Sequence, residues 1–557
     1  MVKSLNRILQ TIRQRRTSSQ TPEEALAARA ARKPYAGRTV TEFTSEAASE
    51  TNLRFIIDIL EEEGIDYFLV PGHAAIRHVV GISVRNRQRF LKLLSVSYAD
   101  EAIHVGVPSG RSTFSLGPFS TADGELPHEL QNEDVLRAAQ IQFGPQGQVL
   151  AGFEHGCDIE FWAEGSELRN SEAGLERLSA TKASLPVELH TDTWVGPRPN
   201  TVSDVLPAEA RREVRTIVGE GEYRTFEDFA DNISHDVPFP IDVVYTWVDG
   251  DDPQWRAKKA HHLGEEVPEH HRADSRYKNH DELKYSLRSL EMYAPFVRNV
   301  YLVTDGQCPP WLDTNECTLI DHKVIFADST ALPTFNSHAI GSQLHHIPGL
   351  AEHFLYFNDD ALIGRRILPE VFFEQNGLSR LMPSSGRIGL GPPLQEEPAP
   401  NSAGKNVREL LRRDFGVSIA NKFRHTPIPQ LRSVSYELEE RYQKEVGQTM
   451  RSRFRHVDDI GFCALLHQHY AYLTSRAIMA GEARCAYVNI ADLDAPDRLD
   501  EISEKRLYDF ICLNDVNTPP ERREEVGAIV RSFCEVYFPF PSKYEKTDVC
   551  STDSDRS

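Results

Sequence analysis

The 557 residues carry 83 acidic against 62 basic side chains, a formal charge of −21. A chain of that length exceeds one compact core and implies two or three domains. The negative excess excludes a general polyanion-binding surface such as a nucleic-acid groove, so any phosphate recognised here is expected in a local pocket.

The amino-terminal MVKSLNRILQTIRQRRTSSQ is basic but has no apolar stretch long enough for a signal peptide. Nowhere do about 18 apolar residues run uninterrupted, and a soluble, cytoplasmic protein is expected. Leu5, Ile8, Leu9 and Ile12 are interleaved with Arg7, Arg13, Arg15 and Arg16. That pattern suits either a solvated tail or peripheral contact at the inner face of a membrane. The eight cysteines are scattered without a C-x-x-C pair or zinc spacing, which points to reduced thiols.

Residues 1–51 lack sustained periodicity and read as a flexible segment. A small α+β accessory domain is expected over 52–205. In it Leu53, Ile56, Ile57 and Leu60 share a helical face, IDYFLVPG reads as a buried strand ending in a turn, and NRQRFLKLL as a second helix. Gln140 to Trp162 then alternates strands and turns. Its His73, His155, Asp158 and Glu160 offer polar groups for a site, with surface or turn chemistry as the competing reading. Residues 206–237, acidic from about Glu220 to Asp236, read as a linker.

Over 238–545 the periodicity changes. IDVVYTWV is a continuous apolar run of the kind buried on both faces of a sheet. A helix follows at HDELKYSLRSLEMYAP, with a cap at Asn279 or Asp281 and Pro295 closing it. NVYLVTDG is a second strand, NSHAIGSQLHHIPG a second helix and HFLYFNDD a third strand. This alternation predicts an α/β catalytic domain with a Rossmann-like, mostly parallel sheet, whose ligand sits beyond the strands' carboxyl ends. Those ends carry Asp249, Asp305 and Asn358-Asp359-Asp360, an acidic edge. Residues 383–405 are rich in Gly and Pro and are expected to form a long loop or lid. SYELEERYQKEV and DDIGFCALLHQHYAYL read as helices and FICLND as a late strand. PPERREEVGAIVRSFCEVYF is a closing helix with Val526, Ile529, Val530 and Phe533 inward, and 546–557 form a disordered tail.

Several motifs carry chemistry. The turn DGDDPQW could bind a divalent cation through clustered carboxylates, or could be a solvated turn capped by its aspartates. Two adjacent carboxylates in NDD are costly at a buried strand end unless a cation or donors compensate them. His425 precedes a rigid Thr-Pro turn. Arg451, Arg453 and Arg455 alternate before a helix begun by Asp458, so that in an extended segment one side could clamp phosphate, against a basic stripe pairing with Glu439 or Glu440. His345 and His346 are expected on different helical faces, which excludes a ligand pair. Asn514-Asp515, at another strand end, could join the acidic edge.

IDVVYTWVDGDDPQW, RYKNHDELKYSLRSLEMYAPFVRNVYLVTDGQCPPWLD, LPTFNSHAIGSQLHHIPGLAEHFLYFNDD, HTP…RFRHVDDIG and FICLNDVNTPP…FPFPSKYE resemble the four successive regions of the Stealth family. These are bacterial capsular and exopolysaccharide sugar-phosphate transferases, similar to the eukaryotic N-acetylglucosamine-1-phosphotransferase. The resemblance spans about 241–545. It implies transfer of a hexose-1-phosphate from a nucleotide-diphosphate sugar to a saccharide hydroxyl, releasing nucleoside monophosphate. It also implies catalytic roles for Asp360, His425 and Arg455. Asp249, Arg288, Asn336 and Asn514 are expected to contact substrate, and Asp252, Asp359, Asp360 and Asp515 to hold Mg²⁺ or Mn²⁺. Asp249 stands where relatives often have Asn, which leaves open whether it or Asp252 meets the metal. From the residues alone, a metal-dependent glycosyltransferase or a non-catalytic carbohydrate-binding protein remains an alternative.

Overall fold

The computed structural model describes residues 35–72, 76–98, 100–231, 236–263, 281–515 and 518–546. The expectations for the basic amino-terminal stretch, His73, a cap at Asn279, Cys550 and the tail lie outside them. The chain divides into two compact units, Met1–Asp231 and Asn232–Ser557. Among the described residues no helix is long and apolar enough to cross a membrane, and the seven described cysteines are free.

In the first unit the leading helix runs Ser45–Glu62, with Thr44 Oγ1 accepting from the Ala47 amide at 3.1 Å as its cap. It therefore begins inside the segment expected to be flexible to residue 51. The buried face continues toward the amino terminus as Ser45, Ser49 and Asn52, which apolar periodicity does not register. Two of them are tied across the fold: Ser49 donates to the Ile76 carbonyl at 2.9 Å, and the Asn52 amide to the His155 carbonyl at 2.9 Å. Leu53, Ile56 and Leu60 pack into a core with Val80, Phe90, Val105 and Phe161, against an eight-stranded mixed sheet.

Asp158 and Glu160 lie on the strand Cys157–Glu164 and are buried. Arg137 and Arg198 donate to Asp158 at 2.6 and 2.9 Å, and Arg198 donates to Glu160 at 2.7 Å. Their charges are matched inside the fold. The expected linker 206–237 instead holds an antiparallel hairpin, Glu213–Val218 with Gly221–Phe226, and a short helix, Glu227–Ala230. The two-residue turn needs the positive φ of Gly219, +57°.

In the second unit, β1 (Ile241–Thr246), α1 (Pro253–His262), α2 (Glu282–Tyr293), β2 (Val297–Thr304), β3 (Thr318–Asp321), α3 (Ser337–Gly341) and β4 (His353–Asn358) follow in order. Next come β5 (Ala361–Ile363), β6 (Pro383–Arg387), α4 (Ala399–Phe415), β7 (Asn421–Phe423), β8 (Ile428–Leu431), α5 (Arg432–Arg441) and α6 (Gln443–Arg451). The last elements are α7 (His467–Leu473), β9 (Cys485–Asn489), α8 (Ala495–Lys505), β10 (Phe510–Asn514) and α9 (Arg523–Tyr537).

The main sheet has the order β3-β2-β1-β4-β8. Its first three pairings are parallel, and β8 returns antiparallel against β4. Thr246 is level with Asn358, which aligns the carboxyl ends of β1 and β4. The FICLND strand, β10, is not part of this sheet. It sits between β5 and β9 in a separate three-stranded sheet, antiparallel to β5 and parallel to β9. Helix α2 joins the two sheets through buried hydroxyls. Ser286 shares a hydrogen bond with Tyr245 at 2.8 Å and donates to the Ala361 carbonyl at 2.6 Å, while Ser289 accepts from the Ile363 amide at 2.9 Å.

Three further expectations change. The stretch 383–405 is not one loop, because β6 pairs with β7 at its start and α4 takes over from Ala399. The arginines before α7 do not form one stripe: Arg451 ends α6, and the next regular turn starts at Phe462, not at Asp458. His345 and His346 lie on a tight 3₁₀ turn rather than an α-helix, so both Nε2 atoms reach the Glu439 carboxylate, each at 3.0 Å.

Arg288, expected to contact substrate, is buried in α2 and pairs bidentately with Glu545, Nε and Nη2 each at 2.7 Å. Its Nη1 donates to the Phe538 carbonyl at 3.1 Å. The guanidinium thus staples the FPFPSKYE segment to α2, and Arg288 does not line the large cavity of this unit. Removing one member of a buried pair strands the other charge and costs about 3–5 kcal/mol. Because Lys284 stays 3.3 Å from Glu545, Arg288→Ala is expected to destabilise the second unit by the lower end of that range, about 3 kcal/mol, in denaturant titration, with the Arg288→Met, Glu545→Leu double variant recovering most of the loss. Loss of substrate affinity by Arg288→Ala without loss of stability would contradict this assignment.

Candidate active site

The turn between β4 and β5 is only Asp359-Asp360, since β4 ends at Asn358 and β5 begins at Ala361. Burial pushes the Asp359 carboxyl up to about 7, with the neighbouring Asp360 charge adding to the shift. Burial raises Asp360 to about 6, against the opposing hydrogen bond from Cys512. Asp360 Oδ1 is buried without a hydrogen-bond partner.

Two return strands bring partners to this turn. On β10, Cys512 is level with Ala361, and its thiol donates to Asp360 Oδ2 at 3.5 Å. On the approach to β8, His425 places Nδ1 at 3.8 Å from the same sulfur. One ligand-type atom from each of Asp360, His425 and Cys512 lies within 4.8 Å of the others. Burial and the Asp360 charge hold the Cys512 thiol well above its ordinary pKa, so it is protonated and bridges the acid to the imidazole. The His425 ring keeps an exposed edge, but the surrounding protein dominates: burial, then the Lys422 ammonium, lowers its pKa and keeps it neutral.

A cavity of about 1410 Å³ opens beside this group, lined by Asn358, Ser337, Lys422, His425, Arg455 and Tyr487 among others. The segment carrying Arg455 has no regular structure, and Asn336 holds it. The Asn336 side-chain amide donates to the Ser452 carbonyl at 3.0 Å, the Phe454 carbonyl at 3.3 Å and Asp459 Oδ2 at 2.8 Å. From the other side, the Asn406 amide donates to the Val457 and Asp459 carbonyls, each at 2.8 Å. Arg455 then donates to Ser337 Oγ at 2.9 Å on the cavity wall. Arg453 turns away to the Thr330 carbonyl at 3.1 Å.

His425 and Arg455 thus line one cavity, and Asp360, with Asp359 beside it in the turn, adjoins His425 through Cys512. The structure does not bring the other expected residues to the same point. Asn336 is fully buried and holds the Arg455 segment. Asp252 caps α1, accepting from the Gln254 amide at 2.8 Å, and takes a second bond from Gln307 at 2.9 Å. Asp249 accepts from the Asp251 amide at 2.9 Å in the same turn. The DGDD segment is thus a latched turn, and neither aspartate joins the acid–imidazole–thiol group. Asp515 closes a turn with the Thr518 amide at 2.9 Å, also outside that group. Asp305 is paired with Lys258 at 2.6 Å. Asn514 donates to the hydroxyl of Tyr487, orienting a ring of the cavity wall.

Cys512, Ser337, Lys422 and Tyr487 were not singled out in the sequence. Cys512 had a signal available, being two residues before Asn514 on a strand and hence on the same face. The other three gave none.

The chain matches four family models, described as Stealth protein conserved regions 1, 2, 3 and 4, over residues 239–261, 276–381, 424–472 and 500–552. An exopolysaccharide phosphotransferase of Streptomyces coelicolor is 38% identical over 512 residues, covering 90% of this chain and 83% of that protein. The exopolysaccharide phosphotransferase CpsY of Mycobacterium leprae is 33% identical over 524 residues, covering 93% and 90%. Among solved structures, the galactosyltransferase LgtC with donor and acceptor sugar analogs aligns at 12% identity over 54% of this chain and 96% of that one, with a TM-score of 0.28. The four regions occur in order, and the relatives match along nearly their whole length, so this chain belongs to the Stealth family.

Proposed function

We propose that this chain is an exopolysaccharide phosphotransferase, moving a hexose-1-phosphate from a nucleotide-diphosphate sugar to an acceptor sugar hydroxyl with release of nucleoside monophosphate. The observation that carries the reading is a neutral imidazole and a fixed guanidinium on one cavity wall, with a half-buried carboxylate pair of raised pKa adjoining His425 through Cys512. The names of its relatives as phosphotransferases support it.

In this reading His425 takes the proton of the acceptor hydroxyl, a task suited to an imidazole that burial keeps unprotonated. The acceptor oxygen forms a bond to the phosphorus attached to the sugar, and the bond from that phosphorus to the nucleoside monophosphate oxygen breaks. Arg455, held by Ser337, faces the charge on the non-bridging oxygens. Asn514 fixes Tyr487 at the cavity wall. The free thiols favour a reducing compartment, and we place the reaction in the cytoplasm.

The carboxylates fit a hard divalent cation: Mg²⁺ or Mn²⁺ takes one or two protein carboxylates and completes its shell with substrate phosphates. Asp359 and Asp360 would hold it, and the unpartnered Asp360 Oδ1 supplies an open donor. A protonated thiol does not suit such an ion, which leaves Cys512 as a hydrogen-bond donor to Asp360. When bound there, the cation would neutralise phosphoryl oxygens.

His425→Ala is expected to lower turnover by about 10²–10⁴-fold and Arg455→Ala by about 10²–10³-fold. Both are to be followed as nucleotide release and product phosphorus resonances across a panel of nucleotide sugars. Near-normal turnover in both would refute the assignment. Release of nucleoside diphosphate in place of monophosphate would point to a glycosyltransferase.

Proton and cation compete for the acid pair. Because the folded pKa values, about 7 and about 6, lie above the ordinary value, the metal-free fold loses stability as pH rises from about 4 toward 7. Added Mg²⁺ should therefore raise the melting temperature more at pH 8 than at pH 5, and Asp360→Asn should erase most of that increment. An equal increment at both pH values would place the cation elsewhere.

A further inference from the structure

The cavity is lined by five cationic side chains, Lys422, Arg424, Arg455, Arg484 and Lys505, against one carboxylate, Glu501. Lys505 is engaged by Glu501 at 2.6 Å. Arg424 is tied to the carbonyls of Ala483 and Gly481 and to the Cys485 sulfur, closing one wall. Arg455 is fixed on Ser337. Arg484 is a further cation of the wall, and Lys422 stands apart from it and from Arg424 by lying close enough to His425 for its charge to act on the imidazole. Lys422 is half-buried, and among the described residues it makes no ion pair; its ammonium donates to the side-chain oxygen of Asn401, a neutral acceptor also on the cavity wall.

An ammonium has three donors, and Asn401 takes one. The Glu397 carboxylate acts on the ammonium from nearby but is itself bonded to Lys405 at 2.9 Å, and the remaining hydrogens of Lys422 can turn to the cavity. Asn401 lies in α4 and Lys422 in β7, so the amide holds the lysine from a separate element and lowers the entropy lost when an anion binds. The closeness to His425 puts Lys422 beside the reacting groups.

We propose that Lys422, positioned by Asn401, is a second anion anchor of the site and binds the phosphate that departs with the nucleoside. This rests on the phosphotransfer reading above. In that reaction the bond from the transferred phosphorus to the bridging oxygen breaks, and the electron pair stays on the departing phosphate. An ammonium there stabilises the charge that develops, while Arg455 meets the oxygens of the phosphoryl group that stays with the sugar. The two cations divide the diphosphate between them.

The test uses the full chain and inorganic pyrophosphate, titrated calorimetrically into wild type, Lys422→Ala, Lys422→Arg and Asn401→Ala. Lys422→Ala is expected to weaken binding by about tenfold or more. Lys422→Arg, which keeps the charge with a different shape, should stay within about threefold of wild type. Asn401→Ala should fall between them, and unchanged melting temperatures would show that the variants are folded. With a nucleotide sugar, Lys422→Ala should lose kcat as well as affinity, because the interaction strengthens as the leaving charge develops. Unchanged pyrophosphate affinity in Lys422→Ala, or no pyrophosphate binding by wild type in the millimolar range, would overturn the anion anchor. The reaction reading is judged separately, by which nucleotide the wild type releases.

Discussion

The site is built on one costly arrangement, two neighbouring carboxylates in a turn that cannot relax. Asp359 and Asp360 are the only residues between a strand of the main sheet and a strand of the three-stranded sheet. Strand β4 is bonded on both sides, by β1 and β8, and β5 is held by β10 and by the hydroxyls of Ser286 and Ser289. With both flanks fixed, the two carboxylates are held in adjacent positions of one half-buried turn, and burial raises both their pKa values. Such a turn is relieved either by protonation of the acids or by a compensating charge, and the second is the ground of the proposed cation site.

The register of the two returning strands explains how residues distant in sequence reach it. Strand β8 pairs antiparallel with β4, with Ile428 level with Tyr356. The chain just before that strand carries His425, whose Nδ1 lies 3.8 Å from the Cys512 sulfur beside the turn. Strand β10 pairs antiparallel with β5, so that Cys512 is level with Ala361, and the Leu513 amide donates to the Asp360 carbonyl at 3.0 Å. Two antiparallel returns thus flank the acidic turn, one delivering the imidazole and the other the thiol. Two residues before Asn358 the hydroxyl of Tyr356 bonds Thr246, closing the same edge against β1.

This geometry shows what the sequence discloses and what it hides. Runs such as IDVVYT and HFLYFN are legible because strands buried on both faces need uninterrupted apolar side chains, and here they are almost wholly buried. Strand β10 looks the same in sequence but belongs to another sheet, because apolar content specifies burial and not the partner. Polar residues mislead for a different reason. Arg288 and Asn336 sit in the segments that resemble the family, which made a substrate role natural. Both instead satisfy backbone carbonyls of irregular segments, Phe538 for one and Ser452 and Phe454 for the other. A buried irregular loop must have its carbonyls paired, and a long-range donor that does so leaves no local pattern. Asp249 and Asp252 fall under the reading set beside the metal one, a turn capped by its own aspartates.

The charge distribution ties the site to the whole molecule. A net charge of −21 sets the surface against polyanions, yet the cavity wall reverses the sign, with five cations against one carboxylate. The acid pair lies next to that wall through Cys512 and His425. A positive pocket in a negative protein selects a small anion that can enter over one that must lie along the surface. The adjoining carboxylates would repel even that anion unless a cation lies between them. On the proposed reading, anion and cation therefore bind together, and the opposed charges of the two halves become one binding requirement.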